Sequence, residues 1–332
     1  MKKKLFNVRT LLILLAIIAL FVVSAWLGLK VPAPVVSIKA EPLFHIGDFT
    51  ITNSLFTTWI VMILLTVLCL LATRRMPKDV QAASTHDLLP SGLQNFFEFI
   101  IEALHGLTKG IAGSWTPKFF PIIATIFLLV ITANWMGLIP GVGSIGILEH
   151  PHEVQEAEAK GAVEFTGFVA NGPILTAEPA KHVEEGYFLV PFFRSPSADL
   201  NFTLALALIS VFLVQYFGIK GNGAGYFRKF FDVSGFKRGA FWGFIGIFVS
   251  ILELISEIAK IISFSFRLFG NIFAGEVLLL VMAFLIPYII SIPFYGLELF
   301  VGFIQALVFM LLTLVFFTLA ASSHHGGGEE HH

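Results

Sequence analysis

Arg267 lies near the middle of an apolar stretch that runs from Ala240 to Ile286 without a proline. An arginine at the centre of a bilayer costs about 2.5–3.5 kcal/mol on insertion scales. Its guanidinium stays protonated at physiological pH, so it cannot shed that cost by neutralising itself. Glu253, Lys260, Arg267 and Asn271 follow one another at offsets of seven, seven and four. At about 100° per helical residue they share one narrow face. Glu276 lies nine residues beyond Arg267 and therefore points to the opposite side. On the next apolar stretch Glu298 and Gln305 are seven apart and share a face. An antiparallel hairpin would set Glu276 opposite Glu298 near its outer end, with Gln305 deeper and closer to the level of Arg267. Two carboxylates close together in a low dielectric do not both ionise cheaply, which suits a pair that holds and passes a proton. Ionisable side chains inside an apolar helix point by default to an ion pathway.

The elements that must carry these residues are membrane helices. The chain has 332 residues, 56% hydrophobic and 13% charged, with a mean hydropathy of +0.86. A soluble domain carries about 25% charged residues. The expected class is an all-α polytopic membrane protein. A net charge of −1 argues against nucleic acid as a partner. With Cys69 as the single cysteine there is no intrachain disulfide and no cysteine-based metal site, and Cys69 itself reads as a small buried hydrophobe.

At about 1.5 Å per residue, a helix over 240–286 extends roughly 70 Å, against about 30 Å of hydrocarbon. It must break or lie strongly tilted, and with 294–321 it reads as a long, tilted, membrane-embedded helical hairpin, Pro287 and Pro293 interrupting the chain between the two. Residues 1–30 read either as a signal peptide or as an extra transmembrane helix, followed by an outer-side segment over 31–53. Transmembrane helices are expected over 54–73, 118–140 and 200–219, the last capped by Ser197 or Asp199. Over 87–112, Asn95, Glu98, Glu102, His105 and Lys109 recur every three or four residues among Phe and Ile, as on an amphipathic helix lying on the cytoplasmic surface. The segment 141–199 holds eight glutamates and one aspartate against Lys160, Lys181 and Arg194, and reads as an acidic outer loop. The basic segment 220–239 reads as cytoplasmic, as do Arg74, Arg75 and Lys78, by the positive-inside rule. The carboxyl end, with its polar tail over 322–332, then lies in the cytoplasm of a cell whose inner or plasma membrane holds the chain.

Bland readings apply to several polar residues. Glu257 and Lys260, one turn apart, suit a structural ion pair. Asn134 suits an interhelical hydrogen bond. His150 and His152 flank Pro151 in the acidic segment and read as solvated loop rather than metal ligands. Arg267 has no acid one turn away, so its partner is expected from another chain.

The segment Ser265-Phe266-Arg267-Leu268-Phe269-Gly270-Asn271-Ile272-Phe273-Ala274-Gly275-Glu276 closely resembles the signature of subunit a of F-type ATP synthases. Gln305-Ala306-Leu307-Val308-Phe309-Met310 resembles that family's last helix, and Asn134 to Gly141 and Pro191 to Pro196 resemble further motifs. The resemblance runs from about His45 to Ala321. It implies a non-catalytic stator without cofactors that moves protons or sodium ions past a ring of c subunits, beside the b subunits of a peripheral stalk. Arg267 would face the ring carboxylate and separate two half-channels. Glu276, Glu298 and Gln305 would line the outer one, with Asn271 and Glu253 as further polar positions. Members often pair a His with a Glu where this chain has Glu276 and Glu298, and many have proline where it has Ile261.

Two other classes remain as alternatives. An intramembrane enzyme is disfavoured because the hairpin holds no histidine or aspartate and the chain has no His-Glu-x-x-His or Gly-x-Ser-x-Gly sequence. A secondary transporter would show internal repeats or helices broken at midplane, and neither is apparent.

Overall fold

The computed structural model describes residues 37–47, 49–74, 92–139, 141–149, 188–230, 239–285 and 291–322. The expectations for 1–30, His150 and His152, most of the acidic segment, residues 231–238 of the basic one, Pro287 and nearly all of the polar tail lie outside the described residues. Among the described residues six α-helices carry the fold: α1 (Asn53–Thr73), α2 (Leu93–Ala112), α3 (Thr116–Met136), α4 (Leu200–Asn222), α5 (Ala240–Leu285) and α6 (Ser291–Ala321). Among the described residues four stretches are long and apolar enough to cross a membrane: Asn53–Thr73, Leu93–Met136, Leu200–Asn222 and Ile292–Ala321. The second joins α2 and α3 through a 3-10 turn at Gly113–Trp115, with Gly113 at a φ of 54°.

Two short antiparallel hairpins, not expected from the sequence, pin the segments before α1 and between α3 and α4. In the first, β1 (Pro42–Ile46) pairs with β2 (Phe49–Thr52), His45 opposite Thr50. In the second, β3 (Gly146–Glu149) pairs with β4 (Phe188–Pro191), Glu149 opposite Phe188. The acidic segment therefore leaves and returns through one paired base, which delivers the chain to Arg194 at a defined place.

Helix boundaries follow local chemistry. Asp199 caps α4, its side chain accepting from the Asn201 amide at 2.9 Å. Thr52 caps α1. Pro293 does not break α6 but sits in its first turn, where the missing N–H has no intrahelical partner to lose. Hydroxyls within the apolar helices bond back to their own backbone, as Thr108 to Leu104 O and Thr313 to Phe309 O, both at 2.8 Å. That satisfies each polar group without water.

The core lies where α3, α4, α5 and α6 meet. Phe119, Phe217 and Phe317 form an aromatic cluster with centroids 4.8–5.4 Å apart. Phe264 of α5 packs on Phe309 and Phe316 of α6. Gly302 lets α3 and α6 approach closely, since a Cβ there would stand 3.2 Å from that of Asn134. Leu104, Thr108 and Ala112 bury one edge of α2, while Glu98, Glu102, His105 and Lys109 are exposed. Cys69 is exposed on α1, which turns most of its apolar surface away from the bundle, so it is not the buried residue expected.

Candidate functional site

The polar residues of α5 fall into an inner cluster, an isolated arginine and an outer cluster. Arg267 is half-exposed, and its one hydrogen bond among the described residues runs from Nη2 to Ser263 Oγ at 3.3 Å, within the same helix. Among the described residues no acid forms an ion pair with it. Its neighbours Ser265 and Leu268 are buried and Phe266 is 55% exposed, so the guanidinium stands at the border of the packed seam. Asn271, one turn outward, is exposed.

The outer cluster centres on Arg194. Its side chain is buried, with Nε donating to Glu276 Oε2 at 3.3 Å. Nη1 and Nη2 donate to the carbonyls of Lys39 and Ser37 at 3.1 and 2.8 Å, and its backbone amide donates to Thr57 Oγ1 at 3.2 Å. The guanidinium carbon also lies 5.9 Å from the centre of the Phe273 ring. Chain on both sides holds it: Phe192 N donates to Ile145 O at 2.9 Å, and the turn Pro196–Ala198 leads directly into the Asp199 cap. Asp199 also accepts from Ser54 Oγ, which ties α1 to the start of α4.

Glu298 is buried on α6, with its carboxyl group lying where a Cβ of Gly275 would be. Gly275 precedes Glu276, so the two glutamates stand at one level of the helix pair, as their spacing suggested. The absence of a side chain at Gly275 is what makes room for the carboxyl group. Asn134 Nδ2 and Trp135 Nε1 donate to the carbonyls of Gly302 and Leu299 at 2.8 and 3.1 Å, joining α3 to α6 beside this level. The Oδ1 of Asn134 and the Oγ of Ser197 are buried without a partner among the described residues. Gln305 is half-buried on α6, seven residues inward of Glu298, and no hydrogen bond joins it to Arg267.

The inner cluster is a continuous run of contacts. Glu257 is buried and accepts from Lys260 Nζ at 2.8 Å and from Gln215 Nε2 at 2.9 Å. Gln215 Oε1 accepts from the Tyr226 hydroxyl at 2.8 Å. Lys260 Nζ lies 5.0 Å from the centre of the Phe316 ring. Glu253, one turn further in, is half-buried.

Sequence reading located the helical glutamates, Arg267, the Glu257–Lys260 pair and the role of Asn134 as a donor between helices. It placed Arg194 within the motif Pro191 to Pro196 but gave it no role beyond one charge of the acidic segment, and it did not single out Gln215. The available signal for Arg194 was its setting. A basic residue between Phe192-Phe193 and Ser195-Pro196, five residues before a helix cap, lacks the polar neighbours of a solvated loop.

Residues 55–318 match the family model described as ATP synthase A chain. Among similar proteins, the ATP synthase subunit a of Syntrophobacter fumaroxidans is 30% identical over 292 residues, covering 88% of this chain and 91% of the relative. That of Helicobacter pylori is 30% identical over 275 residues, 82% of this chain and 93% of the relative. That of Moorella thermoacetica is 28% identical over 280 residues, 84% of this chain and 95% of the relative.

Proposed function

This chain belongs to the ATP synthase A chain family, and we propose that it carries ions through two half-channels against a rotating ring of c subunits. It is a component of an ATP synthase complex and a multi-pass membrane protein. The observation that carries the proposal is the isolation of Arg267: a permanent cation, half-exposed, whose one polar contact among the described residues is a serine hydroxyl. A buried or membrane-embedded charge is tolerated when it meets a counter-charge. Here the counter-charge comes from the ring.

In this reading an ionised ring carboxylate is attracted to Arg267, and an ion cannot ride past the guanidinium. The ion must leave to one side and be replaced from the other, so flow requires rotation. Glu276 and Glu298, nine residues outward along α5 and across from it on α6, exchange protons with the outer half-channel. Gln305 and Asn271 line the approach to Arg267, and Glu253 lies on the inner side. Arg194 holds Glu276 in place beside a fixed cation. The 46 residues of α5 lie strongly tilted along the ring. The chain contributes no catalytic group to ATP synthesis, which belongs to the soluble head. The b subunits of the stalk brace it in the plasma membrane, with the carboxyl end in the cytoplasm, as the basic segments near Arg74 and Lys220 favour.

The test is Arg267→Ala in reconstituted complexes of verified subunit composition. ATP synthesis is lost and ions leak passively without rotation. Arg267→Lys also fails to support synthesis, because lysine lacks the planar, weakly hydrated fork and loses its proton when desolvated. Normal synthesis by the alanine variant overturns the reading.

A further inference from the structure

The inner half of α5 is held along a single line. Between Phe241 and Ile262 the buried positions are Gly243, Ser250 and Glu257, and the next is Phe264. These are spaced by seven, the repeat that keeps one stripe of a helix against its neighbours over several turns. The other faces of this half carry exposed side chains such as Phe244, Phe248, Ile251 and Ile255. Glycine and serine permit close approach, but they offer little shape by which one rotation of a helix about its axis is told from the next. Polar contacts can do so, because a buried charge tolerates only the setting that supplies its partners.

Glu257 is the one strongly demanding residue on that line. Its two oxygens are taken by Gln215 of α4 and Lys260 of α5, Gln215 is oriented by the Tyr226 hydroxyl, and Lys260 reaches the Phe316 ring of α6. Further out, Thr203 Oγ1 of α4 meets Ser265 Oγ of α5 at 3.2 Å. Slipping α5 by one residue turns every face by about 100°. It would remove the carboxylate from Gln215 and move Arg267, ten residues on, away from the border of the seam.

We propose that the Glu257–Gln215 contact, backed by Tyr226 and Lys260, sets the rotational phase of α5 and so presents Arg267 to the ring. This rests on the reading of Arg267 given above. Glu257 is a positioning residue that acts through Arg267 and does not itself carry the ion. The phase can be read directly, independently of activity. In assembled complexes with Cys69→Ala, the pair Thr203→Cys/Ser265→Cys reports the native phase by forming a disulfide under mild oxidant. The pair Thr203→Cys/Phe266→Cys reports the phase one residue away.

With Gln215→Leu or Glu257→Leu, the disulfide at Ser265 falls, that at Phe266 rises, and ATP synthesis drops on the order of tenfold or more, as misplacement of a remote group does. The exchanged pair Gln215→Glu/Glu257→Gln restores the interhelical bond and with it the native disulfide and synthesis. An unchanged disulfide pattern overturns the proposal. So does loss at Ser265 without gain at Phe266, which marks simple loosening. If the disulfides shift as expected but Arg267→Ala synthesises ATP normally, the phase-setting role stands and the reading of Arg267 falls.

Discussion

Among the described residues two ion pairs involve α5, and they differ in what surrounds them. At the outer end Glu276 pairs with Arg194, and the glutamate side chain keeps 32% of its surface exposed while the arginine keeps 4%. At the inner end Glu257 pairs with Lys260, and there the glutamate is the closed partner at 9% and the lysine the more open at 20%. The outer carboxylate is reachable and its cation is fixed, whereas the inner carboxylate is sealed and fully engaged. A group that exchanges protons needs access and a counter-charge that does not move. A group that locates a helix needs neither access nor exchange. On the proposed reading, the contrast suits Glu276 to exchange and Glu257 to holding position, although both are glutamates on one apolar helix.

Breaking each pair in turn sharpens the contrast. Lys260→Met strands a sealed carboxylate, and the thermal or denaturant stability of the detergent-solubilised complex should fall by about 3 kcal/mol. A loss smaller than that from removing Arg194 would reverse the assignment of the two clusters. In the outer cluster, Glu276→Gln together with Glu298→Gln should cut passive and ATP-driven ion flux on the order of 100-fold, in the range for removing positioned proton-transfer groups. Soluble ATPase activity should stay intact. Undiminished flux removes both residues from the pathway.

Arg194→Ala leaves the carbonyls of Ser37 and Lys39 without their donor and Glu276 without its cation. Because Glu276 is partly open, the stability loss should be about 2 kcal/mol, with Arg194→Lys recovering part of it. The smallest effect is expected from Gly275→Ala. The added methyl displaces the far end of the Glu298 side chain rather than backbone. Stability should therefore change by less than about 1 kcal/mol while ion flux falls by about tenfold, the consequence of a misplaced group. Equal loss of both would show that Gly275 serves packing alone.

The course of the chain was legible because its signals are local. Apolar runs marked α1, α3, α4, α5 and α6, and the length of 240–286 announced a helix too long for an upright crossing, seen as the 46 residues of α5. The spacing of Glu257 and Lys260 announced their pair, because three residues on a helix always bring side chains to one face. The motif around Arg267 was specific enough to indicate the family, and residues 55–318 match it. Boundaries were less legible: α4 runs to Asn222 rather than 219, and Pro293 lies inside α6. The hairpins β1–β2 and β3–β4 were missed because four or five residues of pairing hardly alter a hydropathy pattern.

By itself, then, the sequence determined that this chain lives in a membrane, where its helices run, which charges are forced into them and to which family it belongs. Each of these depends on residue type and spacing along a few turns. Only the tertiary structure decided which groups those charges meet. Arg194 reaches Glu276 across 82 positions and the Ser37 carbonyl across 157, Gln215 reaches Glu257 across 42, and Glu298 fits against Gly275 from another helix. A low dielectric makes every such partner obligatory, but it does not say which partner. That choice is made by the packing of α3, α4, α5 and α6 and by the paired strands that deliver Arg194, which bring together residues that no local pattern connects.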